Sequence, residues 1–225
     1  MALVKTLATP VPTPVGSGVY APHNVGPTDY AMCWEARTAR PAATATALPS
    51  MVPGGPGLTG PTAALDVITP SPGSTYLRKT LNTQRLRVAG QSVRSRTILV
   101  VSSGWGNASS FVQIPGLVMG IANGNLNAFG TANVVLGPDD ASLRVRCIAL
   151  DTTAGQVWGQ TGATVLPAKA ITVGATTDVY LGSNANAPAG SEERIVAARV
   201  WDRALSPEEI ATVVEKAAAA YGVGL

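Results

Sequence analysis

The stretch that decides the fold is ERIVAARVWDRALSPEEIATVVEKAAAAYG, residues 193–222. Its first part, residues 194–201, is rich in β-branched residues and is mostly apolar at both even and odd positions. Such a run predicts a strand whose two faces are both covered. Because side chains alternate along a strand, the odd positions from Ile195 to Trp201 are expected to share one face.

The second part of this stretch carries the start, face and stop signals of an α-helix. Ser206 is the expected N-cap, Pro207 occupies the first helical position, and Glu209 stands where it closes a capping box. Gly222 follows as a left-handed C-cap. The predicted buried face is an apolar stripe at helical spacing, which comprises Ile210, Val213, Val214, Ala217, Ala218 and Tyr221.

Residues 194–210 resemble the closing segment of laminin-G-like domains, which belong to the concanavalin A-like jelly-roll group. In that family a last sheet strand runs into an Arg-Ala-Leu-Ser type turn, here residues 203–206, and then into an acidic helix start. Residues 179–182 resemble the preceding strand of the family, which commonly ends in glycine. The resemblance implies an all-β fold, a two-sheet antiparallel jelly-roll sandwich with one C-terminal α-helix. It says little about a ligand, because a fold does not fix a function.

The spacing of apolar runs independently predicts a two-sheet antiparallel sandwich, because short strands recur about every 8–12 residues with no helix before the end. The strongest hairpin signal is Asn123-Gly124. In the strand at 142–150, Leu143 and Val145 are expected on one face and Arg144 and Arg146 on the other. The other predicted strands are residues 30–36, with Trp34 in the core, 97–102, 110–114, 117–122, 126–129, 132–136, 156–158, 163–166, 171–173 and 177–182.

The first part of the chain differs in composition, since 12 of the 17 prolines fall at or before Pro72. We therefore divide the chain into a proline-rich extended arm, residues 1–28, and a jelly-roll domain, residues 29–225. The arm is either a solvated tail or a segment that docks on a neighbouring subunit, since it is more apolar than most linkers. Residues 37–75 are rich in proline and glycine and predict a long irregular passage.

Composition excludes several classes of protein. With 13% charged residues and a net charge of +3, the scattered arginines do not predict a nucleic-acid surface. No window approaches the length of a membrane span, and residues 1–16 make a poor secretory signal, so no export route is expected. Cys33 and Cys147 have apolar neighbours and predict two buried thiols, with a disulfide as the alternative.

The sequence predicts no catalytic residue. The single histidine, His23, lies in the arm, which does not suit a serine or cysteine hydrolase. Related glucanases of the concanavalin A-like group carry a Glu-x-Asp-x-x-Glu run that this chain lacks. The adjacent acidic pairs Asp139-Asp140, Glu192-Glu193 and Glu208-Glu209 are expected in two turns and a helix start. We therefore expect a non-enzymatic protein.

Ligand contact is predicted on loops, where aromatic rings and amides can hold a sugar. Trp105 stands between glycines at a strand end, where it is hard to bury, and Asn107 follows it. Asn184 and Asn186 occupy the loop that relatives often use. These four residues are the candidate ligand-binding residues, with packing as the alternative role of Trp105. No metal site or other cofactor is predicted. Calcium is the alternative, but it usually requires several carboxylates, which the loop that carries Asn184 and Asn186 lacks.

Compact laminin-G-like chains preceded by a proline-rich arm resemble minor tail proteins of phages that infect high-GC bacteria. That resemblance implies a virion protein on a phage tail or capsid surface, whose arm binds other virion proteins and whose loops contact a host-surface glycan. It also implies a homo-oligomer. The alternative is a purely structural decoration subunit that makes only protein–protein contacts.

Overall fold

The computed structural model describes residues 24–39, 44–60, 65–70, 74–80, 83–104, 108–182 and 192–225. Within them the chain forms seventeen strands, a 3₁₀ turn at Ala36–Thr38 and one α-helix, α1 (Pro207–Tyr221). The strands are β1 (Met32–Glu35), β2 (Thr44–Ala45), β3 (Ala47–Leu48), β4 (Leu58–Thr59), β5 (Leu65–Ile68), β6 (Tyr76–Lys79), β7 (Leu86–Val88), β8 (Arg96–Ser103), β9 (Ala108–Ile114), β10 (Leu117–Ala122), β11 (Asn125–Phe129), β12 (Asn133–Pro138), β13 (Arg144–Asp151), β14 (Gln156–Thr161), β15 (Thr164–Ala170), β16 (Val179–Leu181) and β17 (Glu193–Trp201).

The strands form two antiparallel sheets, which confirms the predicted sandwich with a C-terminal helix. The nine-stranded sheet has the order β15-β14-β13-β8-β17-β6-β5-β2, with β1 also paired to β17. The eight-stranded sheet has the order β12-β11-β10-β9-β16-β7-β4-β3. Sequence neighbours such as β8 and β9 lie in different sheets, so the chain crosses repeatedly between the layers. The predicted hairpin at Asn123-Gly124 joins β10 to β11.

The two sheets and the helix make three layers with two apolar cores. Between the sheets lie buried side chains that include Trp34, Phe111 and Ile148. The second core lies between α1 and the outer face of the nine-stranded sheet, and it includes Val145 and Val213. The helix therefore covers one sheet from outside. It contacts β8, β13 and β14, all of the nine-stranded sheet, and does not cover the outer face of the eight-stranded sheet.

The closing segment folds as its sequence predicts. The Ser206 hydroxyl accepts the Glu209 N–H at 3.2 Å, and a Glu209 carboxylate oxygen accepts the Ser206 N–H at 2.9 Å, which completes the capping box. Gly222 ends the helix in the left-handed region at φ 64°. Ile210 and Val213 are fully buried, which confirms the predicted face. No helix among the described residues has the length and apolarity needed to cross a membrane.

The alternation predicted for β17 is wrong at one point, because a β-bulge lies between Ile195 and Ala197. Ile195 packs between the sheets, whereas Ala197 and Trp201 pack beneath the helix. An extra residue in one strand shifts all later side chains to the opposite face. Both faces are covered nonetheless, as predicted.

The predicted irregular passage at 37–75 is also corrected, because it supplies short strands to both sheets. β2 pairs with β5 in one sheet, while β3 pairs with β4 in the other. Conversely, residues 171–173 form no strand. There the Ile171 N–H binds the carbonyl of Gly155 and the Thr172 carbonyl accepts the N–H of Thr131, so these groups bind turns and not a ladder.

The face assignment in β13 needs one correction. Val145 lies on the face opposite Arg146, as predicted, and packs beneath the helix. Leu143, however, precedes the strand and is 44% exposed. The opposite face, predicted to carry Arg144 and Arg146, looks into the space between the sheets. Arg146 is fully buried there, with its guanidinium carbon 4.8 Å from the ring centre of Phe111.

Residues 1–23 of the predicted arm lie outside the described residues. Residues 24–28 pack on the helix side of the domain, where Val25 is fully buried and the Pro27 carbonyl accepts the indole N–H of Trp201 at 2.9 Å. Cys33 and Cys147 are buried free thiols, as the sequence predicted.

Candidate functional site

The four predicted ligand-binding residues, Trp105, Asn107, Asn184 and Asn186, lie outside the described residues, so their shared site stays a prediction. The structure does show where their loops begin and end. Ser103, the last residue of β8, pairs with Arg194 at the start of β17. The described end of β8, which precedes the loop of Trp105, therefore lies beside the described start of β17, which follows the loop of Asn184. Both lie at one end of the sandwich.

The acidic pairs at this end and at the helix start are used structurally. Glu193 opens β17, where the sequence predicted a turn, and binds Lys79 at 3.0 Å with both side chains almost fully buried. Asp139 binds Arg146 at 2.8 Å in a fully buried pair. Glu209 belongs to the capping box and also binds Arg203 at 2.8 Å. The described part of the chain holds no cluster of three or more His, Cys, Asp or Glu able to bind a metal.

The environment of Asp139 favours its charged form. Burial alone would raise the pKa of this carboxyl, but the hydrogen bonds and positive charge of Arg146 outweigh burial. Further hydrogen bonds come from the Thr161 hydroxyl at 2.6 Å and the Ala141 N–H at 2.9 Å. The net effect is a pKa below the ordinary value, which favours the carboxylate form that these donors bind.

A groove of about 300 Å³ opens beside the start of α1, and we call it the Trp158 groove. It lies over the margin of the nine-stranded sheet formed by β14 and the edge strand β15. Its lining comprises Gln156, Trp158, Gly159, Gln160, Val165, Leu166, Pro167, Ala168 and Pro207. None of these lining residues carries a charge.

Strand alternation explains which side chains reach the groove. Gln156, Trp158 and Gln160 alternate along β14, and the intervening Val157 is buried between the sheets. The helix packs over β8, β13 and part of β14, so it leaves the strip next to β15 open. Pro167 interrupts the hydrogen-bonding capacity of β15, which discourages another strand from pairing with this edge.

The principal side chains of the groove are held in place. The indole N–H of Trp158 donates to the Leu205 carbonyl at 3.0 Å, and the ring also packs against the helix-side core. The Gln160 amide donates to the Gly162 carbonyl at 2.8 Å, whereas Gln156 is exposed. The Trp158 ring and the largely buried Gln160 amide are thus held in place, and the exposed Gln156 amide lies beside them.

This site was not predicted from the sequence. Residues 156–158 were expected to form a strand, and aromatic contacts were expected only on loops. The available signal was the run Gln-Val-Trp-Gly-Gln at 156–160, because a period of two places both glutamines and the tryptophan on one face. Of the other described tryptophans, Trp34 and Trp201 are fully buried and cannot meet a ligand.

No protein-family model and no curated protein matches the chain. Its fold is similar to that of receptor-binding domains of botulinum neurotoxins. The serotype D ligand-binding domain in complex with N-acetylneuraminic acid matches with a TM-score of 0.58 and 12% identity, over 83% of this chain and 50% of that one. The type G receptor-binding domain matches with a TM-score of 0.58 and 13% identity, over 81% of this chain and 50% of that one.

This chain therefore spans about half the length of those toxin domains. At such low identity the likeness shows the fold alone, a jelly-roll-like β-sandwich. Membership of the laminin-G-like family and the likeness to phage tail proteins stay predictions from the sequence.

Proposed function

We propose that this protein is a non-enzymatic carbohydrate-binding module that holds a sugar in the Trp158 groove. The observation that carries the proposal is the meeting of a fixed indole ring and two glutamine amides in one uncharged groove. Aromatic rings stack on the apolar faces of sugars, while amides bind their hydroxyls. A volume of about 300 Å³ lies at the lower end of small-molecule sites, which suits a single sugar residue.

Two further points fit a non-enzymatic carbohydrate-binding module. One toxin domain of similar fold, half of which this chain covers, is a ligand-binding domain in complex with N-acetylneuraminic acid. The carboxylates of the acidic pairs are also engaged in capping and ion pairs, which leaves them poorly placed for acid–base chemistry.

The biological setting that we propose is a phage virion, as an adhesin-type module on the tail or capsid surface. In that setting the sandwich contacts a host-surface glycan, while the arm, residues 1–28, binds other virion proteins and supports a homo-oligomer. The support is the resemblance of the closing segment and the proline-rich start to minor tail proteins. The competing function is a decoration subunit that binds proteins only.

The experiment is a glycan array with the full chain, followed by calorimetric titration of the strongest hit. We expect Trp158→Ala to weaken binding at least tenfold, which equals about 1.4 kcal/mol of lost contact. Trp158→Phe should retain part of the affinity. Gln156→Ala tests the same groove at an exposed side chain, where truncation should leave the fold intact. Asn133→Ala, exposed on the opposite sheet, is its matched control.

Three results would decide against the groove. Unchanged affinity in folded Trp158→Ala and Gln156→Ala variants would remove it as the site. Loss of binding in Trp105→Ala alone would place the sugar on the predicted loops instead. No binding to any glycan on the array, at any tested protein concentration, would favour the decoration subunit.

The arm is tested separately by deleting residues 1–23, since Val25 and Pro27 must stay to preserve the helix-side contacts. We expect the shortened chain to keep its unfolding midpoint and its glycan binding but to sediment as a smaller species than the full chain. An unchanged sedimentation coefficient, after correction for mass, would contradict a role of the arm in assembly.

A further inference from the structure

Arg85 stands apart from the other arginines. Of the eleven arginines that the structure describes, ten lie within 4.0 Å of a carboxylate, and Arg85 does not. A sequence with only 13% charged residues has thus paired nearly every described guanidinium, which makes the one exception informative. Arg85 is also only partly exposed, so its position is set by its neighbours.

Its neighbours lie on the outer face of the eight-stranded sheet. Tyr180 of β16 faces outward there, because Val179 and Leu181 on either side of it are buried between the sheets. Arg87 of β7 lies directly opposite Tyr180. Arg85, two residues earlier in the chain, contacts the same ring. The guanidinium carbon of Arg85 lies 4.5 Å from the ring centre of Tyr180.

The carboxylate nearest to this ring among the described residues, that of Asp178, is already engaged. Asp178 accepts the Tyr180 hydroxyl at 2.9 Å and the Gly90 N–H at 3.0 Å, and Arg87 lies 3.6 Å from the same carboxylate. These hydrogen bonds, with that of Gly90 the largest cause, hold the pKa of Asp178 below its ordinary value. Asp178 is therefore an anion at neutral pH, and the positive charges of both Arg87 and Arg85 act on it. Because two arginines share one aspartate, the cluster keeps an excess of one positive charge.

The stack on Tyr180 prepares Arg85 to bind a ligand. The guanidinium carbon lies over the ring at a distance that allows a cation–π contact. No described carboxylate lies within 4.0 Å of its N–H donors, which leaves them available to a ligand. A guanidinium fixed in this way loses little side-chain freedom on binding, and its fork of donors matches a carboxylate or a phosphate. α1 lies on the other sheet and does not cover this face.

We propose that the Arg85 cluster, comprising Arg85, Arg87, Asp178 and Tyr180, is a binding site for the oxyanion of an acidic saccharide. Arg85 makes the principal contact, Tyr180 holds its side chain, and Arg87 adds positive potential. The site is independent of the Trp158 groove, because the two lie on different sheets. An acidic sugar binds here whether or not a neutral sugar binds in the groove.

The test uses the full chain, ¹⁵N-labelled, titrated with glucuronate and with glycerol phosphate at low and at physiological salt. Methyl glucoside is the neutral control probe. We expect the Arg85 side-chain N–H signal to shift with the anions and not with methyl glucoside, and the affinity to fall with salt. Tighter binding of glucuronate assigns the site to a carboxylate sugar, and tighter binding of glycerol phosphate assigns it to a phosphate-bearing one.

Four variants complete the design. Arg85→Gln should weaken anion binding about tenfold or more, since it removes charge-assisted hydrogen bonds. Arg194→Gln is the matched control, because Arg194 also lies over a tyrosine ring, at 5.1 Å from Tyr76, but binds Glu192 at 2.7 Å. Asp178→Asn removes the competing negative charge and should tighten binding about twofold or more at low salt. Trp158→Ala should leave anion binding unchanged.

Equal anion affinities for wild type and a folded Arg85→Gln variant would overturn the proposal. So would equal losses in Arg85→Gln and Arg194→Gln, because they would show a general effect of net charge. Absence of any Arg85 shift with both anions at millimolar concentration would overturn it as well. These outcomes are separate from failure of the groove, which is read from the Trp158 variants and the glycan-array hit.

Discussion

Asparagine at position 139 should destabilise this protein far more than asparagine at position 140, although each aspartate binds an arginine. The two ion pairs differ in exposure. Asp139 and Arg146 have fully buried side chains, whereas those of Asp140 and Arg144 are 64% and 22% exposed. Because the residues are adjacent and the substitution is the same, burial is the main variable that separates the two variants.

The magnitude follows from the bonds around Asp139. Its two oxygens accept from the Nε and Nη2 atoms of Arg146, both at 2.8 Å, and also from Thr161 and Ala141. An asparagine keeps one acceptor oxygen and turns an N–H₂ group towards the guanidinium donors. Breaking a buried ion pair from one side costs about 3–5 kcal/mol, because a charge is left buried. The exposed pair is worth about 0–1 kcal/mol.

The assay is urea unfolding followed by tryptophan fluorescence. With a slope of about 2–3 kcal/mol per M for a chain of this size, Asp139→Asn should lower the midpoint by about 1–2.5 M. Asp140→Asn should lower it by less than about 0.5 M. Adding Arg146→Met to Asp139→Asn should recover part of the loss, since it removes the unpaired charge. Equal midpoints for the two single variants would refute the reasoning.

The same residue makes a prediction about pH. The pKa of Asp139 is lower in the folded chain than in the unfolded chain, so the folded chain keeps this carboxyl ionised down to a lower pH. Its contribution is complete above the ordinary carboxyl pKa of about 4 and is lost as the pH falls through the folded pKa. The difference in unfolding free energy between wild type and Asp139→Asn should therefore narrow below about pH 4. A constant difference down to pH 2 would contradict this account.

Three further predictions concern the helix cap, the thiols and a close strand contact. Ser206→Ala removes the hydroxyl that caps α1 and should lower the free energy of unfolding in urea by about 0.5–2 kcal/mol. Ser206→Asp, which keeps a capping oxygen, should stay close to wild type. Identical midpoints for wild type and Ser206→Ala would contradict the capping role. Burial raises the pKa of Cys33 to about 11 and also raises the pKa of Cys147. A thiol reagent at pH 8 should therefore label neither cysteine in the folded chain and both in urea. Rapid labelling of the native protein would show that the thiols are accessible. Gly159→Ala places a Cβ 2.2 Å from the Cys147 carbonyl oxygen and should lower the free energy of unfolding by about 1–3 kcal/mol. The Cβ of Gly224→Ala meets nothing within 4 Å, so this control variant should be neutral. Equal unfolding midpoints for the two variants would disprove the contact.

The closing strand and helix could be predicted because their signals are local. A capping serine, a proline at the first helical position and an apolar stripe act within a few residues of one another, and the structure places them as the sequence indicates. The Asn123-Gly124 hairpin is local in the same sense. Strands of two residues, such as β2 and β3, leave no periodicity to detect, so the passage at 37–75 was misjudged.

The candidate site was harder to predict, because a binding surface depends on what covers each sheet. The sequence directed attention to loops and to Trp105, while the described structure directs it to Trp158 on a strand. Trp158 faces a groove only because α1 covers the neighbouring strands and stops short of β15. No local pattern gives the lateral position of a helix on a sheet.

By itself the sequence determined the strands that alternate clearly, the capped helix and the lack of catalytic motifs, since these depend on residues close together in the chain. Only the tertiary structure decided which charges are paired. Lys79 binds Glu193 and Glu35 binds Arg199 across more than a hundred residues, whereas Arg85 has no carboxylate within 4.0 Å in the described part of the chain. The physical reason is that strand order and register bring distant side chains together, and both are set by the packing of the whole sandwich.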